Sequence, residues 1–260
     1  MKTSHYYFDM EVVPDFAALC NKFAGKPLQS PYRSTVPLLS LIHHSEPHWK
    51  SLLESLAAPV DGSIHFEYCV ASPKPGGNPS QTDALIMSES TVWAIEAKWT
   101  EPRYETVGQR LSKPESDGAD PRVTVNGWLQ HLQRFSTRHL DIEDVVDVVY
   151  QVLHRTASAC AVAIAQQRRP QVVYLHFHPS PLKNSATTQQ YVSDLERLHM
   201  LLGNPAELMF VVVEMPLHFT PAFETIKGLD KQSPATSALV LEALRAGPLF
   251  TFDPPIIKHI

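Results

Sequence analysis

The sequence predicts an α/β protein: a mixed central β-sheet flanked by helices, its core running helix, three strands, helix, strand, with α/β additions toward the C-terminus. Two kinds of segment predict it. Short runs rich in β-branched and aromatic residues follow closely at 63–71, 82–87 and 91–99, as strands of one sheet would. Segments with a helical apolar period lie on both sides of them, and two later apolar runs, 171–177 and 208–215, are separated by a further helical stretch.

The elements follow in order. "SPYRSTVPLLSLIHH" predicts a helix capped by Ser34 or Thr35, with Pro37 in its first turn and Leu38, Leu41 and Ile42 on its apolar face. Pro47 opens a second helical segment, "PHWKSLLESLAA", which Pro59 ends. "GSIHFEYCVA" reads as a strand, "SPKPGGNPSQ" as a loop, and the runs 82–87 and 91–99 as a strand pair. Residues 100–125 are polar and broken by Pro102, Pro114 and Pro121, which reads as an irregular insertion. "NGWLQHLQRFSTRHL" is a helix. "DIEDVVDVVYQVLHRTASACAVAIA" is a longer one, N-capped by Asp141 and periodic through Val145, Val149, Val152 or Leu153, Thr156 and Cys160. Helices near 187–202 and 234–246 complete the pattern. One domain over 1–260 is expected, with its core at about 33–178, the insertion at about 100–125 and a C-terminal extension at about 179–260.

Composition narrows the class. An apolar content of 43% over 260 residues buries a substantial core. No apolar run spans a bilayer and the N-terminus lacks a secretory pattern, so a cytoplasmic protein is expected. Cys20, Cys69 and Cys160 lie far apart, as reduced structural thiols do. The net charge of −5 argues against a nonspecific nucleic-acid coater, so any such partner meets a local patch. Residues 98–140 carry such a mild reversal, seven Lys or Arg against five Asp or Glu.

Acids stand where buried strands do not favour them. Asp83 opens one run of the pair, and Glu96 and Lys98 sit late in the other. An even-length turn puts Met87 opposite Val92 and therefore Asp83 opposite Glu96, with Lys98 on the same face. An odd-length turn puts Asp83 on the other face. Opposed carboxylates in a core need neutralising. Lys98 can do it as a buried ion pair; alternatively a divalent cation sits between the acids, with the carbonyl of Ala97 as a further oxygen ligand. Lys98 then stands beside a metal-bound water, to orient or deprotonate it or to stabilise charge on a phosphoryl group.

Asp83 followed on a hairpin by Glu96-Ala97-Lys98, the only [DE]-x-K in the chain, resembles the PD-(D/E)XK, or restriction-endonuclease-like, nuclease superfamily. The resemblance covers roughly residues 33–178. Gln81-Thr82 precede Asp83 where the motif's name has proline. It implies a mixed sheet with its metal site on the second and third strands, and phosphodiester hydrolysis with Mg²⁺ or Mn²⁺. Asp83 and Glu96 match the metal-binding acids and Lys98 the catalytic lysine. The third acid common in the superfamily falls on Glu67, or else on Glu54 or Glu46. The partner expected is nucleic acid, DNA before RNA, with no membrane, and a homodimer would cut both strands. The rival is an inactive family member that binds nucleic acid or protein without cleaving.

Outside the triad, Asp147, Gln151, Arg155 and Ser158 form a polar stripe at helical spacing. A solvated face is one explanation; the other brings Gln151 and Arg155 to the site edge. Arg33, Ser34 and Thr35 at a helix start can hold a phosphate or simply cap. Arg103 and Glu101, just past the strand, are placed along the groove. His43, His44 and His48 read as surface residues because Pro47 separates them, and His176 and His178 share one strand face.

Overall fold

The structure, a computed structural model, describes residues 5–113 and 120–260. Residues 114–119 of the expected insertion and 1–4 of the N-terminus lie outside the described residues.

A nine-stranded mixed sheet forms the centre, in the order β2-β1-β3-β4-β5-β6-β7-β8, with β9 also on β7. Its strands are β1 (Tyr6–Phe8), β2 (Glu11–Val13), β3 (Ile64–Val70), β4 (Ser80–Met87), β5 (Thr91–Lys98), β6 (Arg169–His178), β7 (Met209–Phe219), β8 (Phe250–Phe252) and β9 (Ile256–His259). Pairing is antiparallel from β3 through β5 and parallel from β5 through β7. All eight residues of β5 are buried, as a strand covered on both faces requires.

Helices cover both faces. α1 (Phe16–Lys22), α2 (Thr35–His44), α3 (Glu46–Ser55), α8 (Pro221–Ile226) and α9 (Ala235–Ala246) pack on the face presented by Trp93, Ile95 and Ala97. α4 (Val107–Leu111), α5 (Pro121–Gln133), α6 (Tyr150–Gln166) and α7 (Thr188–Leu201) cover the opposite face, with Ala94, Val172 and Val212. Alternation along β5 therefore turns Glu96 and Lys98 toward the α5–α6–α7 layer.

Three expectations change. The insertion is not irregular throughout: Thr106 and Gln109 cap α4 reciprocally, and Asp120 caps α5, which begins at Pro121. The long helix expected from Asp141 is two pieces. Asp141 caps a 3-10 turn over Ile142–Val145, and α6 begins only at Tyr150. Between them, Val146 and Val148 give their carbonyls to the N–H groups of Gly108 and Val107, so the helical ladder cannot run through. Asp147 consequently lies outside α6 and pairs with Arg197, and Ser158 is buried, so the four residues do not form one stripe. Ser34, the expected cap, precedes α2 but gives its hydroxyl to Glu101 at 2.8 Å.

Candidate functional site

Register builds the site. In the β4–β5 hairpin Met87 faces Val92 and Ala84 faces Ile95, with Ser88 N–H donating to Thr91 across a two-residue turn. This is the even-length turn, and it sets Asp83 opposite Glu96. Between β3 and β4, Phe66 faces Ala84 and Tyr68 faces Thr82, which sets Glu67 opposite Asp83. Glu67, Asp83 and Glu96 thus form one row across three adjacent strands, and Tyr174 on β6 continues it beside Glu96.

Glu67 has an unusual backbone. Its φ of 48° is left-handed, in the middle of a strand. For a residue with a Cβ this costs roughly 1–2 kcal/mol. The conformation breaks the alternation of β3. Ile64 and Phe66 pack into the α2–α3 face, whereas Tyr68 and Val70, of the same parity, pack toward α6. Such strain persists only where the surroundings over-determine it, and it concentrates at functional positions.

Charges around the row are tightly coupled. Lys98 Nζ donates to Glu96 Oε1 at 2.8 Å. Arg155, from α6, brings Nε to 3.1 Å from Glu96 Oε2, an ion-pair distance without hydrogen-bond alignment, and donates from Nη1 to Ser80 Oγ at 2.9 Å. Asp83 Oδ2 accepts from Ala97 N–H at 2.7 Å. Burial pushes Asp83 well above the usual carboxylate range, and Glu96 and Glu67 add to it. Burial, then Glu96, lifts Glu67 to about 7. Burial pushes Glu96 up as well, but Arg155 and Lys98 together outweigh it and hold Glu96 low. Burial opposes the Lys98 ammonium, yet Glu96 and Asp83 raise Lys98 above its ordinary value, so it stays charged. The row therefore holds one stable carboxylate, two reluctant ones and two fixed cations.

The other expected residues separate into two groups. Arg155 reaches the row, and Gln151 lies one turn before it on α6, partly buried. Arg103 does not line a free groove: it forms a two-pronged ion pair with Asp194 of α7. Glu101 accepts from the N–H groups of Trp99 and Thr100 and from Ser34, which ties the end of β5 to the start of α2. Arg33 is exposed beside that junction. Glu46 and Glu54 are exposed on α3, on the opposite face of the sheet, and Glu46 pairs with Lys50. Among the weighed acids, Glu67 is the one that joins the row. His176 donates to or accepts from Thr188 Oγ1 at 2.8 Å, and burial lowers it to about 4.

Sequence reasoning missed three neighbours. Ser80 holds Arg155, Tyr174 buries its hydroxyl beside the row without a hydrogen-bond partner among the described residues, and the half-exposed Tyr104 lays its ring 5.4 Å from Lys98 Nζ. The parallel register that brings Tyr174 beside Glu96 has no signal in the sequence. Tyr104 lies in the stretch read as irregular.

The fold and site define a mixed α/β protein with a row of three acids on its central strands, Glu96 buried and Glu67 and Asp83 partly so, joined by a lysine of β5 and an arginine of α6. The chain belongs to the DUF6946 family, a domain of unknown function, whose model matches residues 17–219 and so spans every residue of the row. No curated protein and no solved structure matches the chain. No helix among the described residues is long and apolar enough to cross a membrane.

Proposed function

We propose that this chain is a divalent-metal-dependent phosphodiester hydrolase with a restriction-endonuclease-like core, acting on nucleic acid, DNA before RNA. The observation that carries the reading is the row Glu67–Asp83–Glu96, with Lys98 two residues on and facing the same layer. The donor set fits a hard cation. Carboxylates supply oxygen, and Ala97 points its N–H at Asp83, so its carbonyl leaves the strand on the same edge. Two acids of the row resist ionising without a compensating cation, which is the electrostatic condition such a site creates.

Magnesium or manganese, when bound, supplies charge neutralisation at the phosphate and an activated water. Asp83, Glu96 and Glu67 would hold it, with Ala97 as a carbonyl ligand. The remaining chemistry belongs to the chain's own side chains. Lys98 acts as a fixed ammonium, stabilising charge that develops on the phosphoryl oxygens rather than removing a proton. Arg155 sets the Glu96 carboxylate and brings a second cation to the row. Tyr104 shields Lys98 from solvent on the exposed side.

One observation favours a second reading, a nucleic-acid-binding or protein-binding member without hydrolysis. Glu96 has an oxygen on each of Lys98 and Arg155, so both of its oxygens already face cations of the chain itself. A cleavage assay decides between them. Labelled single- and double-stranded DNA and RNA are incubated with Mg²⁺ or Mn²⁺ and wild-type, Asp83→Asn or Lys98→Met protein. Hydrolysis by wild type that both variants lose supports the hydrolase. Binding without hydrolysis in either metal supports the second reading.

A further inference from the structure

Of the Phe, Tyr and Trp side chains among the described residues, Tyr104 and Phe219 are the exposed ones, at 41% and 39%. Phe219 packs on Phe223, with ring centroids 4.5 Å apart. Tyr104 has no such neighbour. No aromatic ring among the described residues packs on it, and 1–4 and 114–119 contain no aromatic residue. What it meets is Lys98, whose Nζ stands over the ring at 5.4 Å from the centroid. Lys98 is buried, so its ammonium takes one face of the ring, and the exposure of Tyr104 lies on the other face and the edge.

The chain on both sides of the ring is held. Before it, the Glu101 carbonyl accepts from Ala186 N–H at 2.9 Å, and Arg103 forms its two-pronged pair with Asp194 of α7. After it, the Glu105 carbonyl accepts from Tyr150 N–H at 2.9 Å, and Thr106 caps α4. These anchors fix where a free aromatic face meets solvent. A ring on a preset backbone loses little entropy when a ligand covers it. Because it lies over the lysine that shares a layer with the acid row, the ring stands at the mouth of the candidate site.

We propose that Tyr104 is a stacking platform for an unpaired base of the nucleic-acid substrate, next to the acid row. This rests on the nucleic-acid reading above and adds the form of strand that the site takes. A flat π-face stacks on any base and reads no sequence. A duplex keeps its base faces within its own stack, so the ring selects a single strand or a base turned out of the helix. The Lys98 ammonium and the base use opposite faces of the ring, so neither contact displaces the other.

The test uses fluorescence anisotropy of full-length protein in EDTA, where metal-dependent cleavage cannot interfere. The probes are a short labelled single-stranded oligodeoxynucleotide and a strand of the same length with every base removed. Wild type binds the intact strand more tightly than the abasic one. Tyr104→Ala weakens binding of the intact strand by about fivefold to a hundredfold and leaves binding of the abasic strand unchanged. Tyr104→Leu, which keeps an apolar cover over Lys98 without a π-face, behaves as Tyr104→Ala does, and Tyr104→Phe keeps the wild-type values. Unchanged affinity of Tyr104→Ala and Tyr104→Leu for the intact strand overturns the proposal. Equal loss on both strands also overturns it, since the ring then acts through Lys98 and not through a base. Absence of wild-type binding to the intact strand overturns both the platform and the nucleic-acid reading. Tyr104-dependent, base-dependent binding without hydrolysis in Mg²⁺ or Mn²⁺ refutes the hydrolase and keeps the platform. Hydrolysis with Tyr104-insensitive binding does the reverse.

Discussion

Glu67→Gln isolates the electrostatic cost of the acid row. The wild-type carboxyl is held near 7 by burial and by Glu96, against an ordinary value of 4.5. The folded pKa lies above the unfolded one. Stability is therefore complete below about pH 4.5, falls as the unfolded chain ionises while the folded chain keeps its proton, and levels off above about pH 7. A rise of this size corresponds to about 3 kcal/mol, as an order of magnitude. Glutamine keeps the shape and the left-handed backbone but has no charge. Urea unfolding at pH 4 and pH 8 reads the difference. At pH 4 the variant should match wild type within about 1 kcal/mol, since both side chains are neutral. At pH 8 it should be more stable by up to about 3 kcal/mol. Equal stability at both pH values, or a variant weaker at pH 8, would show that Glu67 is neither desolvated nor repelled by its neighbours.

Other perturbations follow from the same geometry. Arg155→Met removes one of the two cations on Glu96 and strands Ser80, and should destabilise by about 3–5 kcal/mol in urea unfolding. Lys98→Met leaves Glu96 with Arg155, so it should cost less than Arg155→Met by the same measurement; a larger cost would reverse the ranking of the two cations. Gly127→Ala drives a Cβ into Pro73 and should cost about 1–3 kcal/mol, with faster proteolysis of the β3–β4 loop. Asp83→Asn keeps an oxygen for the Ala97 N–H and should hold the thermal midpoint near wild type or above it, while hydrolysis is lost.

The sequence made the site legible where local rules suffice. An even turn fixed Asp83 opposite Glu96, and alternation put Lys98 beside them; the hairpin has that register. Glu67 was legible as an acid between Phe66 and Tyr68, but not its left-handed backbone, since nothing local announces a positive φ in a glutamate. The C-terminal strands β8 and β9, the N-terminal β1–β2 hairpin, α1 and α8 escaped the reading. They are short, and packing rather than a periodic pattern decides them. The break before α6 comes from carbonyls committed to α4, a long-range partnership. Arg155 looked like one member of a solvated stripe because the orientation of α6 over β5 is a tertiary fact. Arg103 carried the right charge for a groove, yet Asp194, far away in sequence, takes it.

The central claim is that the row exists to hold a divalent cation, and calorimetric titration of Mg²⁺ and Mn²⁺ tests it most directly. Wild-type protein and the Asp83→Asn/Glu96→Gln double variant are compared, with the thermal midpoint recorded alongside. The account predicts saturable binding and a raised midpoint in wild type, both absent in the double variant. If wild type binds neither ion while the double variant is the more stable protein, the acids serve only Lys98 and Arg155, and the hydrolase reading is wrong.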